Sequence, residues 1–254
     1  RMVYSPLDAL ELARKNPERE VVFFALGFET TAPSTALTVL RAAREEIKNF
    51  SLLCQHILIV PTLRALLEQP DFMVDGFIGP GHVAMVTGTR PYDFVSTTYN
   101  RPFVVAGFEP LDILQSLLMV LRQLESGQAK VENQYARVVP PDGNPAALAA
   151  MRQVYETRAD NAWRGLGNIA SSGLQLRAAW SAFDAEHRFP LTPHNVPDPA
   201  SARCGAVLTG RIRPTECPAF GRECTPDAPL GALMVSSEGA CAACYDYEGA
   251  RQVA

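Results

Sequence analysis

The feature that most limits what this chain can fold into is an alternation. Four short apolar runs, interleaved with helical patterns, fill its first half. "EVVFFALGF" is β-branched and aromatic, the mark of a fully buried strand. After the turn "GFETTAP", the segment "STALTVLRAAREEIKN" is apolar at helical spacing and charged at its far end. "SLLCQHILIV" reads as a second strand, "TLRALLEQ" as a short helix and "VDGFIGP" as a third strand. "PFVVAGF" is a fourth, leading into the helix "PLDILQSLLMVLRQLES". Parallel strands need a crossover between them, and a helix is the usual one. The pattern therefore predicts an α/β fold, a parallel-sheet domain with helices on both faces, over residues 1–135. At its start "YSPLDALELARKN" offers Ser5 as N-cap, Pro6 at the first helical position and Asp8 in the first turn.

Beyond "RVVPPDGNP" the pattern changes. Residues 136–200 read as a connector that packs back on the α/β core. "PAALAAMRQVYETR" is helical, "WRGLGNIASSGLQL" a Gly/Ser-rich turn region, and "HRFPLTPHNVPDPAS", with four prolines, is extended. Residues 201–254 form a cysteine-rich lobe whose low apolar content calls for a staple. With 254 residues, 47% of them hydrophobic, the chain can bury a sizeable core. A net charge of -4 with no basic run excludes nucleic acid as the expected partner. No apolar stretch approaches the roughly 20 residues that span a bilayer, so no membrane is expected. The opening residues read as an amphipathic helix and not as a secretory signal, so the expected compartment is the cytoplasm.

Two loops repeat a motif. "ALGFETTAP" and "VAGFEPLDI" both place Gly-Phe-Glu after a strand and before a helix, where the crevice of an open α/β sheet lies. Gly27 and Gly107 allow the tight turn. Glu29 and Glu109, with Thr30, Thr31 and Asp112 beside them, either complement a helix dipole, worth about 0.3–1 kcal/mol, or serve chemistry. In "FIGPGHVAMVTG", Gly79, Pro80 and Gly81 read as a loop that delivers His82 past a strand end, as an acid, base or ligand. His56, His187 and His194 are read as structural. "GLGNIASSG" lacks the Lys-Ser/Thr of a phosphate loop and is set aside.

Five of the six cysteines, Cys204, Cys217, Cys224, Cys241 and Cys244, lie in the last fifth of the chain. In a reducing compartment a disulfide framework ranks third among the explanations. A zinc ribbon has two close cysteine pairs, and only Cys241 and Cys244 make one. Iron–sulfur ligands tolerate irregular spacing. A Cys-Ala-Ala-Cys dithiol should open a helix after a strand, and "LGALMV" reads as a buried strand before it. Spacing points to a metal or a cluster and leaves zinc and iron–sulfur both open.

"GFETTAP", "GPGHV", "VVAGFEPLDIL", "WRGLGNIASSGL", "CPAFGRECTP" and "GALMVSSEGACAA", in that order, resemble the HypD family of hydrogenase maturation proteins over nearly the whole chain. The resemblance implies a cytosolic scaffold with a redox role that helps assemble the Fe(CN)2CO unit of nickel–iron hydrogenases. It implies work with the small chaperone HypC and the cyanide donor HypE, and a [4Fe-4S] cluster in a C-terminal lobe. Carried over, the cluster ligands are Cys204, Cys217, Cys224 and Cys241, and Cys244, where the family has an aromatic residue, is a spare thiol. Glu29, Thr30, His82 and Glu109 become one wall of the cleft that holds iron. The family's Cys-Gly-Thr-His and Gly-Pro-Gly-Cys-Pro-Val-Cys motifs do not occur in this sequence. On this reading it is a fragment, inactive alone, that binds a HypC-type partner weakly or not at all. Two other classes compete: a zinc-stapled α/β binding module without redox activity, and a small-molecule enzyme built on the Glu/His crevice.

Overall fold

The computed structural model describes residues 1–190 and 199–248. Helix α1 (Pro6–Lys15) starts as expected: Ser5 accepts from the Leu7 N–H, and Asp8 completes the capping box. The first βαβ unit follows as β1 (Val21–Gly27), α2 (Ala32–Arg44) and β2 (Phe50–His56), with the strands parallel and Val21 opposite Phe50. The second apolar run is shorter as a strand than it looks. It ends at His56, and Ile59 already opens α3 (Ile59–Leu67).

A second parallel sheet, three strands in sequential order, is built from β3 (Phe77–Pro80), α4 (Gly81–Thr87), α5 (Asp93–Thr97), β4 (Phe103–Ala106), α6 (Pro110–Ser126) and β5 (Val131–Asn133). The fold is therefore mixed α/β with parallel strands. The four strands expected to share one sheet divide between two. Among the described residues no helix is long and apolar enough to cross a membrane.

Helices α1 and α2 bury Leu10, Ala13, Ala36, Val39 and Ala42 against the face of β1 that carries Ala25. The other face of β1 is open: Val22, Phe24 and Leu26 are 46%, 57% and 60% exposed. The expectation of a fully buried first strand fails for this reason. Its apolar run is continuous, yet helices cover only one side of it.

After α7 (Pro145–Val154) come β6 (Tyr155–Trp163) and β7 (Gly167–Leu176), which pair. The helix expected to run through Arg158 stops at Val154, where Tyr155 takes up extended backbone, φ -109° and ψ 157°, and opens β6. The region read as Gly/Ser-rich turns is mostly strand. Gly165 and Gly167, at φ of 82° and 77°, supply the reversal between the two strands. The Leu58 N–H donates to the Ser172 carbonyl and the Cys54 thiol to the Leu174 carbonyl, tying β7 to the end of β2.

His56 is structural, as read from its apolar surroundings. It is buried, with Nδ1 3.2 Å from the Gly27 carbonyl and Nε2 2.7 Å from Thr35 Oγ1. A carbonyl only accepts, so Nδ1 donates to Gly27, while the Thr35 hydroxyl donates to the Ala32 carbonyl at 2.9 Å and lies against Nε2. The Tyr155 hydroxyl completes the chain 2.7 Å from Thr35 Oγ1. Burial holds the imidazole below its ordinary pKa of 6.5. Native His56 thus resists a proton that the unfolded chain accepts, so its contribution is complete above pH 6.5 and is lost as pH falls through the native value. Burial pushes Cys54 up to about 11 and Tyr155 well above its usual range, so neither titrates in that window. Urea unfolding of a Glu29→Gln background, with and without His56→Gln, is expected to show a stability loss between pH 6.5 and 5 only where His56 is present.

Contacts gather the chain into two units. The first is Arg1–Thr62, Asp75–Ala159 and Ala170–Thr192. The second is Leu63–Val74, Asp160–Ile169 and Pro193–Ala254. The helical half of the 136–200 segment and α8 (Ala185–Arg188, which holds His187) belong to the first. His194 and most of the proline-rich stretch lie outside the described residues. The second unit holds α9 (Cys204–Leu208), α10 (Ala232–Val235) and α11 (Ala240–Tyr247). Its core is small: Ala219, Cys224, Met234, Cys241 and Ala242, with Val207, Phe220, Leu230, Leu233 and Tyr245 around them. "LGALMV" is not the expected strand. It forms the short helix α10, which buries Met234 and leaves Val235 exposed. An isolated strand would leave its ladder groups unsatisfied.

Candidate functional site

The two Gly-Phe-Glu loops stand at the carboxyl ends of β1 and β4, each leading into a helix. Their glutamates differ in every other respect. Glu29 is buried at 4% exposure and does not cap its own helix. Its carboxylate accepts from the Ile59 N–H at 3.2 Å, which places it on the N-terminus of α3. Burial outweighs that hydrogen bond and pushes the carboxyl up to about 7. Near neutral pH the group holds or releases a proton readily. Thr30 is exposed, while the Thr31 hydroxyl donates within the loop to the Leu26 and Phe28 carbonyls.

Glu109 is exposed and occupies the N-cap position of α6 without a side-chain cap. Arg137 holds it instead, at 2.5 Å, and grips Asp112 with both guanidinium nitrogens at 2.9 and 2.5 Å. Gln134 adds a further donor to Asp112 at 2.7 Å and accepts from the Gly107 N–H at 3.1 Å. The Arg137 guanidinium, then Gln134, hold the Asp112 carboxyl far below the usual range. Gly107 is required here because a β-carbon would lie 2.1 Å from Asp112 Oδ2.

His82 is not in a loop. Pro80 ends β3 and Gly81 begins α4, so His82 is the second residue of a helix. Gly81 permits this direct entry, since a β-carbon there would lie 2.1 Å from the Ala106 carbonyl oxygen of β4. The imidazole is exposed and stacks on Phe108, ring centres 4.4 Å apart, with Tyr135 at 6.3 Å and Arg137 over the Tyr135 ring at 4.5 Å. The structure thus brings His82 to the Glu109 loop. Glu29 has a separate set of partners. Arg137, Gln134 and Tyr135 had no signal in the sequence: "ENQYAR" is an ordinary polar stretch, and only the return of β5 to β4 places it there.

The lobe places its cysteines by tight turns. Cys204 opens α9, and Cys217 follows a single turn of 3-10 helix at Pro214–Glu216. The Phe220 N–H returns to the Cys217 carbonyl at 3.0 Å, and the Cys224 N–H to Ala219 at 2.9 Å, so "CPAFGREC" folds back on itself. Cys241 is the second residue of α11. All four side chains line one cavity, with Val207, Ala219, Phe220 and Met234 as its apolar wall. Cys204, Cys224 and Cys241 are buried, and all are free thiols. Burial, then the neighbouring Cys204, Cys217 and Cys224, pushes the Cys241 thiol up to about 12. Cys244 does not line the cavity, and its thiol donates to Glu248 at 3.4 Å.

The chemistry of this donor set is one that an iron–sulfur cluster can use. Four sulfurs face one space, the soft ligand set that iron–sulfur cores take. Yet among the described residues no three His, Cys, Asp or Glu side chains converge closely enough to share one metal ion.

The molecule is thus an α/β protein carrying a compact lobe whose four thiols face a common cavity. The family model HypD, described as "Hydrogenase formation hypA family", matches residues 1–248. The chain is 60% identical to "Hydrogenase maturation factor HypD" of Rhodobacter capsulatus, over 99% of this chain and 68% of that protein. It is 55% identical to the Escherichia coli K12 protein of the same name, over 97% and 66%. For that of Cupriavidus necator the identity is 50%, over 97% and 67%. It spans about two thirds of the length of these relatives. The chain belongs to the HypD family.

Proposed function

We propose that this chain acts in hydrogenase maturation as the cluster-bearing part of an assembly scaffold, with a [4Fe-4S] cluster on Cys204, Cys217, Cys224 and Cys241. The observation that carries the reading is the convergence of four free thiols on one cavity in a member of this family. When bound, the cluster supplies electrons one at a time. Val207, Phe220 and Met234 form an apolar wall beside the thiols, and the tight turns fix where each sulfur points. The Fe(CN)2CO unit is cargo, handled with a HypC-type chaperone and a HypE-type cyanide donor in the cytoplasm.

The strand-end loops serve that cargo in different ways. Glu29, titrating near neutrality in a dry site, holds a proton for groups bound in the crevice, with Thr30 beside it. His82 and Glu109, exposed and braced by Phe108 and Arg137, form a polar and aromatic face suited to orienting a ligand or partner.

Anaerobic purification followed by iron, sulfide and zinc analysis tests the cluster. Four irons and four sulfides per chain, with a brown colour, are the expected result. A colourless protein with one zinc and no sulfide defeats the reading and leaves a stapled binding module.

A further inference from the structure

The turn after Pro229 meets two of the four thiols through adjacent residues. The Leu230 backbone N–H donates to Cys224 Sγ at 3.4 Å. At the next residue, buried Gly231, a β-carbon would lie 2.3 Å from Cys204 Sγ, closer than any side chain allows. Gly231 has extended backbone, φ -111° and ψ 154°, which any residue can adopt. Conformation does not demand glycine here. The sulfur does. Gly165 also packs against this residue: a β-carbon there would lie 2.9 Å from Cys204 Cβ. That contact gives the first turn of "GLGNIASSG", set aside as a phosphate loop, a packing role.

Resting on the cluster reading above, we propose that the Leu230–Gly231 turn is a positioning and tuning element for the cluster. Gly231 lets the Cys204 sulfur lie directly against the backbone. That close seat brings the same turn near enough for Leu230 to hydrogen-bond the Cys224 sulfur. Hydrogen bonds to ligand sulfur are among the levers that set a cluster's reduction potential. An N–H aimed at sulfur favours the more electron-rich, reduced form and so raises the potential. Because the two contacts come from neighbouring residues, displacing the turn from Cys204 also withdraws the donor from Cys224.

Gly231→Ala in the full chain tests this, alone and combined with Cys204→Ala. In the metal-free protein, Gly231→Ala is expected to lower the melting temperature when Cys204 is present and to have little effect with Cys204→Ala. Once the sulfur is gone, the nearest remaining neighbours of the new methyl are Ala202 Cβ at 3.4 Å and Cys204 Cβ at 4.0 Å, ordinary contacts. Equal losses in both backgrounds overturn the seat. After anaerobic reconstitution with ferrous iron and sulfide, Gly231→Ala is expected to hold severalfold less cluster. What it holds is expected to have a more negative midpoint potential. Full loading at an unshifted potential overturns the tuning role. A parent chain that takes up no cluster defeats the cluster reading and the tuning with it, while the metal-free comparison still decides the seat.

Discussion

Glu29→Gln is expected to make the protein more stable at pH 8, by about 3 kcal/mol at most, and to leave it unchanged at pH 4.5. The native carboxyl titrates at about 7 against an ordinary 4.5, and each unit of difference is worth about 1.4 kcal/mol. The raised native value sets the sign. The penalty is absent below pH 4.5, where the group is protonated folded and unfolded alike. It grows as pH rises from 4.5 toward the native value, because folding must then take up a proton, and levels off above it, where folding buries a charge. Glutamine keeps an acceptor for the Ile59 N–H but never ionises. Urea unfolding at the two pH values reads the effect, and a variant no more stable than its parent at pH 8 contradicts it. A protein that carries such a liability at a strand-end loop trades stability for a proton near neutrality. The same substitution should therefore impair the maturation role that it leaves better folded.

Met234→Ala is expected to unfold the cysteine lobe of the metal-free protein while the first unit stays intact. Met234 is 2% exposed and lines the cavity among the thiols. Truncating a buried methionine to alanine costs about 2–5 kcal/mol, comparable with what a small core supplies in total. Hydrogen exchange is the suitable measurement. The amides of α9 and α11 should lose protection while those of β2 and β4 keep it. Ligand binding to the folded state restores stability by mass action, so cluster loading should return part of the protection. Uniform loss across both units would mean that the lobe has no separate stability.

Much of the α/β architecture could be read directly, because the residues that encode it act locally. Ser5, Pro6 and Asp8 start α1 through contacts within one turn. The seventeen residues of α6 carry their own apolar spacing and end at Gly127, in the left-handed conformation. What could not be read depends on distant partners. Whether Val22, Phe24 and Leu26 are covered depends on which face α1 and α2 choose, and their own run of apolar residues is silent on that. The β6–β7 pair is hidden because β6 is mostly polar and β7 is rich in Gly and Ser, and they become strands by pairing with each other. At the site, the cysteines announce themselves by type and crowding, so a thiol-lined lobe is legible. The ion pair that binds Glu109 and Asp112 to Arg137 is not legible, since 25 or more residues separate the partners and no spacing rule connects them.

The register of the two parallel sheets also bears on how fast the chain can fold. Val21 meets Phe50, Phe77 meets Phe103, and Phe103 meets Val131, so no strand finds its partner until nearly thirty further residues exist. Every pairing must close a long loop before it gains a hydrogen bond, which puts such topologies among the slower two-state folders. During synthesis β1 therefore leaves the ribosome with nothing to pair with while α2 is still being made, and its apolar side chains wait in the open for β2.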